Sequence, residues 1–207
     1  MSVSTVNIAA LVLAAGISRR MGRNKLLLEF GEKTIIEKTL ENILASQVNT
    51  VTVTLGHMKE EMARILAPYA DAGSITLAEN PFYPEGMGST VRVGVKRVLE
   101  KGTYDAIMFF NGDMPFIRPQ TIDALIETYV RQDAAIVVPC FQGRRGNPVL
   151  FGKKFFRELL EASGDVGARE LLQKHAAEVV WLEVADPGIH EDIDCPEDYQ
   201  RLKNNRQ

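Results

Sequence analysis

Short runs rich in Val, Ile and Ala alternate along this chain with stretches whose apolar residues recur at helical spacing, and that alternation restricts the fold to a layered α/β arrangement. The runs are IAALVLAA (8–15), VTVTL (51–55), SITLA (74–78), DAIMFF (105–110) and AAIVVP (134–139). Between them the spacing of Ile35, Ile36, Leu40, Ile43 and Leu44 predicts a helix, and further helices are expected near 60–67, from about 88 to 99 and from about 119 to 131. Strands that are apolar on both faces belong to a mostly parallel, mixed sheet covered by helices on each side. The expected architecture is therefore a single three-layer domain spanning 1–207, with ligands bound beyond the carboxyl ends of the strands. After Cys140 the pattern loosens into FQGRRGNPVLF, two short amphipathic segments, a strand near VVWLEV and a closing helix over 196–203, all expected to pack onto the sheet. The last residues, NNRQ, read as frayed.

Composition removes several function classes. With 45% apolar and 25% charged residues the chain is an ordinary globular sequence, and a formal net charge of -3 supplies no basic field for holding nucleic acid. Phosphate binding has to be local. Cys140 and Cys195 stand far apart with no CxxC and no nearby His cluster, which argues against zinc and a disulfide framework and fits a reduced, cytoplasmic setting. The apolar run from Ile8 has no Lys or Arg before it and meets Arg19 and Arg20 directly after it, so it reads as a strand and not as a signal-peptide core. No later run has the unbroken apolar length of a bilayer span, and no membrane association is expected.

Three segments carry chemistry on their own residues. In LVLAAGISRRMGRNK an apolar strand breaks into Ala14, Ala15 and Gly16 and then into a loop bearing Arg19, Arg20 and Lys25. Small residues bring backbone N–H groups close to phosphate oxygens while Arg and Lys neutralise them, so the loop suits a triphosphate. It is neither a dinucleotide fingerprint, lacking the middle glycine between Gly16 and Gly22, nor a P-loop, since no Lys-Ser or Lys-Thr follows. The plain alternative is a βα turn with solvated cations. In FFNGDMPFI, Asp113 stands just past an apolar strand, placed either to anchor Mg²⁺ or to serve as a turn or N-cap residue. In HEDIDCPEDY, Asp192, Asp194 and Glu197 lie before a helix whose first position suits Pro196, so Asp194 is a candidate cap as well as a candidate ligand.

Together these motifs are similar to those of the molybdenum cofactor nucleotidyltransferases, and most of all to the cytidylyltransferase branch of that MobA/MocA-like NTP transferase family. The similarity runs in order through LAAGISRRMGRNK, NPFYPEGMGSTV, FFNGDMPFI, GRRGNPVLF, GDVGARELL and DIDCPEDY and covers nearly the whole chain. It implies a Rossmann-like, GT-A-like nucleotidyltransferase fold, with 1–140 as the NTP-binding βα half and 141–207 as the acceptor-binding and C-terminal part. Implied catalytic residues are Arg20, Lys25 and Asp113, and implied metal ligands are Asp113 and Asp194 for Mg²⁺. The nucleotide would meet Leu13, Ala14, Ala15, Gly16, Lys25 and Gly56, together with Asn80, Gly88 and Ser89 of the NPFYPEGMGSTV loop, where Ser89 is also a natural cap. The acceptor would meet Arg145, Asn147 and Pro148, with Arg169 added from GDVGARELL, where Asp165 is equally a helix N-cap. Two departures stand out: Asn147 where relatives more often have His, and Cys195 where they usually have Thr.

The activity so implied is transfer of CMP from CTP to molybdenum-bearing molybdopterin, forming molybdopterin cytosine dinucleotide and pyrophosphate, with transient contact to a molybdenum hydroxylase. Rivals are a guanylyltransferase, a sugar- or polyol-phosphate cytidylyltransferase, and a non-catalytic cofactor carrier or insertion chaperone. CTP is expected over GTP because Ala15 stands where guanylyltransferases tend to have Gly, and its methyl would crowd a purine. His57, His175 and His190 lack metal spacing and read as structural or solvated. Trp181 reads as core, and Met87, Met108 and Met114 as packing residues.

Overall fold

The computed structural model describes residues 6–164 and 168–204. In chain order the elements are β1 (Ile8–Ala14), β2 (Glu29–Phe30), β3 (Lys33–Thr34), α1 (Ile35–Leu44), β4 (Thr50–Leu55), α2 (Lys59–Asp71), β5 (Thr76–Glu79), α3 (Met87–Lys101), β6 (Ala106–Asn111) and α4 (Pro119–Arg131). They continue with β7 (Ile136–Phe141), β8 (Arg144–Arg145), β9 (Val149–Gly152), α5 (Phe156–Leu160), α6 (Arg169–Lys174), β10 (Val179–Glu183) and α7 (Pro196–Asn204). Asp165 lies outside the described residues, as does most of the closing NNRQ, so their expected capping and fraying have no structural counterpart.

The main sheet runs β10-β7-β9-β6-β1-β4-β5, with β8 on β7, and is parallel except for β9 and β8. This is the α/β, Rossmann-like fold expected, with a mixed sheet between helices. Period-two alternation along β1 sends Ile8, Ala10, Val12 and Ala14 into one core and Ala9 and Leu11 into the other. The first core takes the apolar stripes of α1, α2, α4 and α7, through residues such as Leu40, Met62, Leu125 and Leu202. The second takes those of α3, α5 and α6, including Val95, Leu159 and Leu171. Starting from β1 the chain builds outward through β4 and β5 and then returns to lay β6 on the other side of β1. That reversal opens a crevice at the carboxyl ends of β1 and β6, where ligands of open α/β sheets bind.

Three sequence expectations are corrected. Trp181 is 52% exposed, because β10 is the edge strand of the described sheet, paired with β7 on one side. Met87 is also exposed, since it opens α3 at the rim of the crevice, whereas Met108 and Met114 are buried as expected. Helix α2 continues through Pro68 to Asp71 and does not end before the proline. Among the described residues no helix is long and apolar enough to cross a membrane.

One buried carboxylate ties the C-terminal segment to the sheet's helical cover. Asp186 accepts from the Arg118 N–H (2.9 Å), the Thr121 hydroxyl (2.6 Å) and the Gly188 N–H (3.0 Å), and so caps the start of α4 from a distant loop. The sequence gives α4 no side-chain cap of its own. Asp186→Ala is expected to lower the free energy of unfolding by about 2–3 kcal/mol, since it strands the buried Gly188 N–H and Thr121 hydroxyl and the half-buried Arg118 N–H. Urea denaturation checks this, and a loss below about 1 kcal/mol would show that the cap is dispensable.

Candidate active site

The crevice is a cleft of about 700 Å³ floored by Leu13, Ala15 and Gly16 at the end of β1 and by Asn111, Gly112 and Asp113 at the end of β6. The chain leaves β1 and bends at Ser18, whose φ is +55°. Ser18 then anchors the loop twice: its carbonyl accepts from Met21 N–H (3.0 Å) and its hydroxyl from Lys25 N–H (3.3 Å). Asn24 caps the single 3-10 turn that begins at Lys25, accepting from Leu26 N–H at 3.1 Å. The root of Lys25 is therefore fixed, and its side chain points at carboxylates.

Lys25 Nζ contacts Asp113 Oδ2 and lies 2.7 Å from Asp194 Oδ1, while Arg20 reaches Asp194 Oδ2 at 2.9 Å. Asp192 completes the cluster: one oxygen from each of Asp113, Asp192 and Asp194 lies within 4.8 Å of the others. Three hard carboxylate oxygens from two chain segments are a donor set suited to a hard divalent cation, and the Lys25 ammonium already stands among them as a positive charge. The residues fit Mg²⁺.

The environment separates the carboxyls. Burial pushes the Asp113 carboxyl above its usual range, with Asp192 and Asp194 adding to the push, and Lys25 only partly opposes it. Burial also acts to raise Asp194, but that group is more open to solvent, and Lys25 and Arg20 together hold it below the usual range. Burial alone would lower the Lys25 ammonium, yet Asp113 and Asp194 outweigh it and the net shift is upward.

Neither Asp is a helix cap. Helix α4 begins at Pro119, with Asp186 at its entrance, and the amides ahead of α7 are served by Asp198, whose Oδ2 accepts from Asp194 N–H and Cys195 N–H, both at 3.2 Å. The Cys195 thiol also donates to Asp198, a bond a Thr hydroxyl would make more strongly.

The expected nucleotide contacts divide by depth. Leu13, Ala15, Gly16, Arg20 and Lys25 line the cleft. No protein atom lies within 4 Å of where a Gly16 Cβ would be, and Gly16 has no left-handed backbone, so the space beside it is open to a ligand. Ala14 is buried behind this surface. Asn80, Gly88 and Ser89 also sit beneath it. Asn80 donates to Ser89 Oγ (3.0 Å) and Thr90 Oγ1 (3.1 Å), and the Ser89 hydroxyl is bonded to Phe82 O (2.7 Å) and Gly86 O (2.9 Å). A Cβ on Gly88 would come 2.4 Å from the Ser163 backbone. These three residues shape the wall of the cleft, and the surface they support is Tyr83, Gly86, Met87 and Thr90. Gly56 is likewise a packing residue, because a Cβ there would meet both Ala15 Cβ and Tyr83 Cβ at 2.7 Å. The Ala15 methyl thus lies against Gly56, and Ala15 is only 2% exposed.

A second lobe of about 430 Å³ shares Leu13, Met87, Asn111 and Arg169 with the cleft and is lined further by Arg145, Asn147, Phe109 and Leu172. Arg145 and Arg169 have no carboxylate partner within salt-bridge distance among the described residues. Pro148 is buried and does not line the lobe. The hairpin is held by Gly146, where a Cβ would come 2.6 Å from Ile189 O, and by His190 against the carbonyls of Arg144 and Arg145. His175 bridges Glu158 and Glu178 and does not line the cleft, and the side chain of Arg19 lies outside the described residues. Sequence reasoning passed over Asp192 and Tyr83 as site residues. Both were within quoted motifs, but no spacing rule marks which residue of DID or FYP faces inward.

A sequence profile of the MobA-like NTP transferase domain matches residues 10–179. The chain is 28% identical to the molybdenum cofactor cytidylyltransferase of Escherichia coli, over 95% of each protein. It is 30% identical to a probable molybdenum cofactor guanylyltransferase of Methanosarcina mazei, over 86% of this chain and 79% of that protein. The manganese complex of Rv0371c from Mycobacterium tuberculosis superposes with a TM-score of 0.75 and 25% identity, covering 96% of this chain and 99% of that one.

Two of the loop's cations differ in burial: the Arg20 side chain is 72% exposed but that of Lys25 only 16%. Lys25→Ala is expected to cost about 2–3 kcal/mol of stability by leaving Asp113 buried without its cation. Arg20→Ala should change stability by no more than about 0.5 kcal/mol. Chemical denaturation of the two variants checks the contrast, and equal losses would contradict it.

Proposed function

The chain belongs to the MobA-like NTP transferase family and is a nucleotidyltransferase, and we propose that it transfers CMP from CTP to molybdenum-bearing molybdopterin, forming molybdopterin cytosine dinucleotide and releasing pyrophosphate. One observation carries the reading: a cleft in which Lys25 and Arg20 face three carboxylates opens directly into a lobe bearing Arg145 and Arg169. A triphosphate needs the first, and an acceptor that is itself a phosphate ester needs the second. The lobe also offers Met87, Phe109 and Leu172, an apolar surface suited to a flat ring system.

In this reading an oxygen of the acceptor's terminal phosphate attacks the α-phosphorus of CTP, the bond to the β-phosphate breaks, and pyrophosphate carries away the negative charge. Asp113 and Asp194, with Asp192 beside them, would hold Mg²⁺, which when bound neutralises charge on the α-phosphate. Arg20 and Lys25 stabilise the departing pyrophosphate by charge-assisted bonds, and the open backbone at Gly16 lets a phosphate lie against the chain. Arg145 and Arg169 orient the acceptor phosphate, with Asn147 donating and accepting but not titrating. In-line placement and charge neutralisation suffice for this chemistry, so no nucleophilic triad is required. A carrier or insertion chaperone would have no use for the paired carboxylates and cationic loop. A guanylyltransferase or a sugar-phosphate cytidylyltransferase would share them, and a panel of NTPs with and without purified molybdenum cofactor, read by pyrophosphate release, separates all of these.

Base choice is expected to favour CTP over GTP, because Ala15 lines the cleft where guanylyltransferases tend to have Gly. Ala15→Gly should narrow the preference by an amount on the order of 1–3 kcal/mol, the usual worth of a small steric change in a pocket. Equal or better turnover of GTP by the native protein would overturn the CTP assignment.

Asp113→Asn and Asp194→Asn should each lower turnover about a hundredfold or more, with Asp113 the more damaging because it is the buried ligand. Asparagine keeps the shape and discards the charge. Pyrophosphate release against Mg²⁺ concentration, with melting temperature as the folding control, provides the measurement. Near-normal rates in both folded variants would overturn the metal-site assignment.

A further inference from the structure

Lys25 is seated where a cation belongs. Its Nζ touches Asp113 and lies 2.7 Å from Asp194, inside a set of three carboxylates whose nearest oxygens all fall within 4.8 Å of one another. Resting on the nucleotidyltransferase reading above, we propose that Lys25 is the resident counter-ion of this carboxylate cluster, and that it must move onto the triphosphate before a divalent cation can settle there. The substrate of the cleft is then the cation–nucleotide complex, taken up as a unit, and free cation is excluded.

The argument is one of charge and reach. Three carboxylates set against Lys25 and Arg20 leave the cluster with a single formal negative charge in excess. A divalent cation entering while the ammonium stays would put two cations on the same oxygens. If the ammonium leaves with the cleft free of anions, a largely buried charge loses both its partners, which is costly. A triphosphate removes that cost, because phosphate oxygens beside Gly16 and Arg20 replace the carboxylates Lys25 gives up. The loop is built for such an exchange. The Lys25 backbone is fixed by Ser18 and by the Asn24-capped turn, so only the side chain has to swing, and Gly16 and Ser18 line the same cleft. Arg20, exposed and paired among the described residues with Asp194 alone, can remain where it is.

The test is binding of Mn²⁺, as a spectroscopic divalent probe, to the full chain without nucleotide, read by electron paramagnetic resonance and by the rise in melting temperature. Lys25→Met keeps the length of the side chain and removes its charge. It should bind free Mn²⁺ at least about tenfold more tightly than the native protein and gain more thermal stability from it. Lys25→Arg keeps the positive charge and should show no such gain. Addition of CTP should raise Mn²⁺ affinity of the native protein more than that of Lys25→Met. Were Lys25 only a phosphate ligand, its removal would leave free Mn²⁺ affinity unchanged, and equal or weaker binding by Lys25→Met would overturn the proposal. That failure is distinct from failure of the underlying assignment. If pyrophosphate release by the native protein still depends on the carboxylates, the counter-ion proposal alone falls. If the gain in Lys25→Met persists after Asp113→Asn is added, the cation lies elsewhere and the assignment falls with it.

Discussion

The ion contact of Lys25 with Asp113 and Asp194 joins three parts of the chain that the sequence keeps far apart. It links the loop after the central strand β1, the end of its neighbour β6, and the segment that precedes the last helix. Each of these groups is costly to bury alone. Asp113 in particular would be pushed toward its neutral form, and Lys25 is the charge that opposes this. The pair therefore belongs to the stability of the fold and to its chemistry at once. The same carboxylates that hold the ammonium are those suited to a divalent cation.

The sheet topology explains why these groups can meet. Because β6 returns to the side of β1 opposite β4, the carboxyl ends of β1 and β6 lie next to each other, and the loops that follow them share one crevice. The antiparallel strand β9, inserted between β6 and β7, turns the hairpin with Arg145 toward the same side, while Gly146 packs under Ile189 to hold it there. Asp186 fixes the C-terminal loop to α4, close along the chain to Asp192 and Asp194. The position of two cluster members thus depends on a cap outside the cleft.

The cleft wall formed by the segment from Asn80 to Thr90 is organised differently. Asn80, Ser89 and Thr90 spend their hydrogen bonds on one another and on the carbonyls of Phe82 and Gly86, which fixes the Tyr83–Gly86 turn as a rigid edge. Gly56 allows Ala15 and Tyr83 to come together behind that edge. Residues that share a motif with the cleft lining can therefore shape it from below, through packing and backbone bonds.

Much of this protein was legible in the order of its residues. Runs of Val and Ile buried on both faces determine a parallel sheet, and the helical periods between them determine its cover, because burial of apolar surface depends on spacing more than on distant partners. The cationic glycine-bearing loop and the strand-end Asp113 were legible for the same reason: the chemistry lies in residue type and local position. What only the tertiary structure decided is orientation. That both carboxylates of DID join Asp113, whether Ser89 faces the cleft or the wall, where the Ala15 methyl points, and that Trp181 falls outside the core all depend on contacts between segments distant in sequence. A periodic pattern states which residues are buried but not which neighbour buries them, and that neighbour determines whether a polar side chain is spent inside the fold or left open to a ligand.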